Sequence, residues 1–158
     1  MITLRPIAMS DAARLYEWAM DPETRAQSFR SGTFDFESHC RWLTKRLTSP
    51  DWMGLVAEDN GGPVGMIRFD RQGDRATLSF AVAPESRGKG YGTAVLAAGA
   101  AYALKNGFAA KVRGIVKLSN TASLRCFIKA GFKRLPDAEV NGVPCAVFEC
   151  DHAEGESS

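Results

Sequence analysis

Apolar positions along the chain recur with two periods, and together they predict one α/β domain. Leu15, Trp18 and Ala19 fall at i, i+3 and i+4 behind Ser10 and Asp11, the pattern of an amphipathic helix with Ser10 as its N-cap. That helix stops near Asp21-Pro22, because a residue before proline is pushed out of helical geometry. A second helix is predicted behind the cap Asp35, with Phe36, Cys40, Leu43 and Leu47 on one face and His39, Trp42 and Arg46 on an adjoining stripe. The polar segment Glu23 to Thr33 between them shows no periodicity.

Thr3 to Ile7, Trp52 to Glu58, Val64 to Asp70 and Ala76 to Val82 read as strands. The turn residues Asp59-Asn60-Gly61-Gly62-Pro63 and Gln72-Gly73-Asp74 make the last three an antiparallel meander. Gly92 to Lys105 is apolar nearly all round, which predicts a buried helix, and Asn106-Gly107 stops it. Lys111 to Val116 is a strand reached through that helix, which implies a crossover and a parallel partner. A helix over Thr121 to Ala130 ends at Gly131, and Phe132 to Leu135 with Val143 to Cys150 form a hairpin around Asn141-Gly142. The predicted order is β-α-α-βββ-α-β-α-ββ: a single domain over residues 1–150 with one mixed sheet of about seven strands, then a disordered polar tail, 151–158.

Composition narrows the function classes. With 158 residues, 45% apolar and 24% charged, the chain is an ordinary globular domain large enough to bury a core. A net charge of +2 from scattered basic residues gives no reason to expect nucleic acid. No apolar run reaches a membrane span, and Met1-Ile2-Thr3-Leu4-Arg5-Pro6 is no signal peptide, so a cytoplasmic location and no membrane partner are expected. Cys40, Cys126, Cys145 and Cys150 contain no Cys-x-x-Cys pair and have only His39 and His152 beside them, so free thiols and no metal are expected.

The candidate chemistry lies between the fourth strand and the apolar helix, in Arg87-Gly88-Lys89-Gly90-Tyr91-Gly92-Thr93. Three glycines let backbone N–H groups approach a ligand at a helix start, where unsatisfied donors and the positive dipole end favour phosphate. Arg87 and Lys89 add positive charge, so the stretch reads as a diphosphate cradle. It is neither a Gly-x4-Gly-Lys-Ser/Thr loop nor a dinucleotide fingerprint, since position 95 is Val and the region near 112 offers Lys111 and Arg113 rather than an acid.

What fits is Arg-x-x-Gly-x-Gly through Arg87, Gly90 and Gly92, which resembles the coenzyme A loop of the GNAT acyltransferase family. Asn120 to Phe132 resembles that family's Asn-x-x-Ala/Ser…Gly-Phe segment. The resemblance covers about residues 2 to 150 and implies acetyl-CoA as acyl donor, with direct transfer to an amine. It implies a splay between the fourth and fifth strands, the pantetheine arm pairing with the backbone at Val82, and Asn120 and Ser123 beside the arm. Asn120 also reads as a helix cap and Ser123 as a solvent-facing serine.

The Phe80 N–H is implied as the group that polarises the acyl carbonyl. Two positions depart from common family patterns. Phe127 stands where many relatives carry a tyrosine acid, and Ala76 where some carry a glutamate base. Proton relay then falls to Ser79, to His39, or to a water held by Glu23 or Glu37, though Ser79 also reads as a plain strand residue and His39 as a structural one.

For the acceptor, Trp18 to Phe29, His39 to Leu43 and Val64 to Asp70 resemble the family's acetyltransferases of amino-sugar nucleotides in nonulosonic acid pathways. They are more broadly similar to the ribosomal-protein-alanine acetyltransferases. Arg25, Arg30 and Arg68 are expected to meet a nucleotide diphosphate, Ser28 to line the pocket, and Trp42 or Phe29 to stack a base or sugar, with surface arginine and core aromatic as the structural alternatives. A small-molecule amine acceptor and a monomer or homodimer are expected. A protein N-terminal alanine or serine acetyltransferase and a catalytically weak acyl-CoA-binding module are the alternatives.

Overall fold

The structure is a computed structural model that describes residues 1–29 and 32–151. Its strands are β1 (Thr3–Pro6), β2 (Trp52–Asp59), β3 (Gly62–Gln72), β4 (Arg75–Val82), β5 (Lys111–Lys117), β6 (Lys133–Val140) and β7 (Val143–Asp151). Its helices are α1 (Ala12–Met20), α2 (Pro22–Gln27), α3 (Phe36–Leu47), α4 (Tyr91–Lys105) and α5 (Thr121–Lys129). The strands form one seven-stranded sheet in the order β1-β2-β3-β4-β5-β7-β6, antiparallel except for β4–β5. The seven strands in their predicted places and the crossover through α4 are as the apolar pattern predicts, but the order is β-α-α-α-βββ-α-β-α-ββ, with the short helix α2 added to the predicted elements.

Alternation along the strands splits the core in two. Leu55, Ala57, Ile67, Phe69, Ala76 and Leu78 face α4 and α5, where Val95, Leu96, Ala100 and Ala103 are buried against them. Trp52 and Val56 face the other way and meet Leu15 and Trp18 of α1 and Leu43 of α3. Asn141 and Gly142 both take positive φ (52° and 78°), the backbone a two-residue hairpin requires.

Four local expectations are corrected. Ser10 does not cap α1: the chain enters through a 3-10 turn, Met9–Asp11. The buried Asp11 carboxylate there accepts from the Ala8 N–H (2.9 Å) and from both terminal nitrogens of Arg5 (2.9 and 2.7 Å). The segment without periodicity contains α2, which buries no residue and so leaves no apolar stripe to read. On α3 the buried positions are His39 and Leu43, while Phe36 stays 44% exposed, so the core-facing stripe is turned toward His39. Asp151 is the last residue of β7 rather than the start of the tail, and residues 152–158 lie outside the described residues.

Candidate active site

The β4–β5 ladder is short. It pairs Arg75 with Lys111 through Leu78 with Gly114 and stops, although both strands continue. Beyond that point β4 pairs only with β3 and β5 only with β7. The direction of the unpaired groups follows from one bond: the Ala83 N–H donates to the Val64 carbonyl at 2.8 Å. Backbone groups alternate in an antiparallel pair, so Ser79 and Ala81 face β3, while Phe80 and Val82 point into the opening. On the opposite lip the Leu118 N–H donates to the Pro144 carbonyl, so by the same alternation Lys117 turns its backbone toward the gap. An opening lined by unpaired backbone groups calls for a ligand that can form hydrogen bonds like a strand.

The glycine loop crowns one end of this opening. Gly88 and Gly90 take positive φ (78° and 82°), and Gly90 occupies the N-cap of α4. Among the described residues, no carbonyl or side chain accepts from the N–H groups of Gly88 to Thr93. These are the orphan donors of a fifteen-residue helix, set in a loop whose first two glycines, Gly88 and Gly90, have open space where a side chain would stand. Gly92 serves another purpose: a Cβ there would lie 2.8 Å from the Cys126 sulfur, so its missing side chain lets α4 approach α5.

The side chains of the loop divide. Lys89 is exposed and forms no ion pair among the described residues. Arg87, expected at the phosphates, is instead tied to α2: its guanidinium reaches Asp21 (2.6 Å), Glu23 (2.8 Å) and the Thr24 hydroxyl (3.2 Å). The same contact, supported by the Thr24 backbone, holds the Asp21 carboxyl below the usual carboxylate range. The Tyr91 hydroxyl donates to Asp59 at 2.5 Å, which fastens the start of α4 to the β2–β3 turn and pushes the phenol pKa up.

Asn120 is the N-cap of α5, its side-chain oxygen accepting from the Ser123 N–H at 3.3 Å. The cap uses only the oxygen, which leaves the amide NH2 as a donor beside the opening. Phe127 is 1% exposed, stacked on Phe148 (4.9 Å between centroids) and edge-on to Phe132 and Phe80. Ala76 is fully buried and Ser79 exposed.

On the face of the sheet that carries Ser79, the paired residue across the β3–β4 ladder is Arg68. The Arg68 guanidinium lies 4.9 Å above the Trp42 ring. Arg113 and Lys117 share that face on β5. Arg113 pairs with Glu149 at 3.2 Å, and Asp70 with Arg46 at 3.3 Å. Arg25 is used inside the chain: it donates to the Ala19 and Gly32 carbonyls (2.6 and 3.3 Å) and lies over Phe34. Arg30 lies outside the described residues. Glu37 pairs with Arg41 on the outer side of α3, and Glu23 with Arg87, so both relay carboxylates are engaged.

His39 is 5% exposed, between Phe34 and Trp42 (5.9 and 5.7 Å), which leaves it no open path to an amine. Burial first, and Arg68 second, lower its pKa below 6.5. A histidine held neutral in the fold binds a proton more readily when unfolded, so its contribution is intact above the unfolded pKa and declines as pH falls through it. We therefore expect thermal stability to drop from roughly pH 7.5 to pH 5, and expect His39→Phe to flatten that part of the Tm–pH curve. An unchanged slope in the variant would assign the loss to other groups.

Sequence reasoning missed Asp21 and Lys117 as site neighbours, and missed Arg87 as the partner of Glu23, since nothing local marks residues whose partners lie in distant elements. Among the described residues, no group of His, Cys, Asp or Glu converges to hold a metal ion, and no helix is long and apolar enough to cross a membrane.

Comparison with known proteins agrees with this geometry. The fold superimposes on aminoglycoside acetyltransferase AAC(6')-Ib, solved with paromomycin and acetyl-CoA, with a TM-score of 0.86 over 99% of this chain and 97% of that one, at 21% identity. It also superimposes on the spermidine N-acetyltransferase of Vibrio cholerae, solved with CoA and spermine, with a TM-score of 0.87 over 96% of each chain at 16% identity. At such identities these likenesses carry the fold alone. No curated protein matches. The family model of the acetyltransferase (GNAT) domain matches residues 1–133, a span that holds the glycine cradle, the open β4–β5 junction and the capped α5. On that match the chain belongs to the GNAT acetyltransferase family, whose acyl donor is acetyl-CoA.

Proposed function

We propose that the chain is an acetyl-CoA-dependent N-acetyltransferase for a primary amine on a small anionic molecule, an amino-sugar nucleotide. The observation that carries the reading is the open β4–β5 junction with the row of free N–H groups at one end. The N–H groups of residues 88–93 and Lys89 hold the diphosphate, the Val82 backbone and the Asn120 amide hold the pantetheine arm, and the Phe80 N–H polarises the acetyl carbonyl. Acetyl-CoA supplies the activated thioester. The amine approaches from the Ser79 face and loses its proton through Ser79 and solvent, since Ala76 offers no base and the nearby carboxylates are paired.

Charge separates the acceptor classes. A polyamine or aminoglycoside acceptor calls for unpaired carboxylates, yet Glu149 and Asp70 are neutralised by arginines. Arg68 over Trp42 offers instead a cation and an aromatic plate, a combination suited to phosphate and base or sugar. The test incubates one preparation with acetyl-CoA and, separately, a UDP-linked 4-amino-sugar, an Ala- or Ser-starting peptide, and spermine, following free thiol. We expect kcat/KM for the sugar nucleotide to exceed that for spermine at least about a hundredfold, or about 2.7 kcal/mol. Peptide acetylation without sugar-nucleotide turnover would overturn the acceptor. Tight acetyl-CoA binding without turnover of any amine would favour a binding module.

A further inference from the structure

Helix α2 has no apolar packing of its own to hold it in place, and of its side chains Arg25 ties it to the neighbouring Ala19 and Gly32 carbonyls. Six residues are too few for a stable isolated helix, and none of them is buried. Two long side chains fasten it from outside. At its N-terminus Arg87, from the loop that follows β4, grips Asp21, Glu23 and Thr24. At its C-terminus the Lys117 ammonium, from the last residue of β5, donates to the carbonyls of Ala26 (3.2 Å) and Ser28 (2.9 Å), where a cation also favours the negative dipole end. Lys117 lies 5.7 Å from the Phe29 ring centroid as well. The two tethers thus start from opposite lips of the same opening.

We propose that α2 is a strap across the donor opening, with Arg87 and Lys117 as positioning residues that set the acceptor wall at Ser28 and Phe29. This rests on the donor and acceptor reading above for its catalytic consequence, but not for its structural one. The width of the opening and the placement of α2 are linked through these two side-chain attachments, so a donor that fixes the lips also steadies the wall the acceptor meets. Arg87 accordingly acts on the acceptor side, and the diphosphate is left to the backbone donors and Lys89.

Hydrogen exchange of the ligand-free protein is the primary test. Arg87→Gln and Lys117→Met should each speed exchange of the amides of residues 24–29 at least about tenfold, with α4 and the sheet unchanged. Arg87→Lys, which keeps the charge, should retain most of the protection. In turnover, the two neutral variants should raise the acceptor KM at least about fivefold, while calorimetry finds the Kd for acetyl-CoA within about twofold. Unaltered exchange in both neutral variants would overturn the strap. So would a tenfold loss of acetyl-CoA affinity in Arg87→Gln with α2 still protected, which would make Arg87 a phosphate ligand. The exchange arm needs no ligand, so a protein that fails to bind acetyl-CoA sinks the donor reading and leaves the strap to be decided by exchange.

Discussion

Gly90→Val is expected to raise the Kd for acetyl-CoA at least about a hundredfold in a protein that still folds. Gly90 takes a φ of 82° at the N-cap of α4, and nothing lies within 4 Å of the place its Cβ would occupy. Valine therefore displaces no neighbour. Its cost is the left-handed backbone, on the order of 1–3 kcal/mol for a β-branched side chain, below the roughly 5–15 kcal/mol that holds a domain together. The strain is relieved by turning the peptide, which swings away the adjacent N–H donors, and the side chain covers those that remain. Sheltered hydrogen bonds to a charged group contribute about 1.5–3 kcal/mol each, so losing two exceeds the 2.7 kcal/mol or so of a hundredfold change.

Gly73→Val is the control. Gly73 also has positive φ (64°) and open space, but it sits in the β3–β4 turn. It should cost similar stability and leave the Kd unchanged. Calorimetry of both variants, with melting curves to certify folding, checks the pair. A Kd for Gly90→Val within tenfold of the parent would remove the cradle from the donor site.

The donor side of this protein was legible in the sequence because it is made of backbone. A backbone donor row needs glycines at a strand-to-helix junction, and Gly88, Gly90 and Gly92 are visible as letters, as is the cap Asn120 ahead of α5. The acceptor side is made of side chains whose partners are far away in the chain. Arg87 reaches Asp21 across 66 positions and Lys117 reaches Ser28 across 89, so neither contact leaves a local signature. Helix α2 stayed hidden for the same reason, since it is fastened by polar tethers rather than by an apolar stripe. His39 misled in a related way: a polar letter was assigned to the flank of α3, but stacking on Phe34 and Trp42 carries it inward.

A tight steric constraint in the core bears on the chemistry at position 127. A Cβ on Gly114 would stand 2.3 Å from Cζ and 2.4 Å from Cε1 of Phe127. The ring is hemmed in by Phe148 on one face and by Phe132 and Phe80 at its edges, so it has nowhere to slide. Gly114→Ala is therefore expected to destabilise by about 1–3 kcal/mol, a fall in Tm of roughly 2–12 °C for a chain of this size. Phe127→Leu in the same chain should recover part of the loss, although alone it too destabilises, and that coupling is what a double-mutant cycle measures.

The same crowding decides Phe127→Tyr. Its hydroxyl would extend from Cζ, the ring atom nearest the Gly114 position, into apolar surroundings, and an unsatisfied buried hydroxyl costs about 1–3 kcal/mol. Stability should drop while turnover changes by less than about tenfold, because a thiol of pKa about 8.5 already leaves tolerably without an acid. A hundredfold gain in turnover would show that position 127 does reach the departing sulfur, and that this chain runs without an acid it could use.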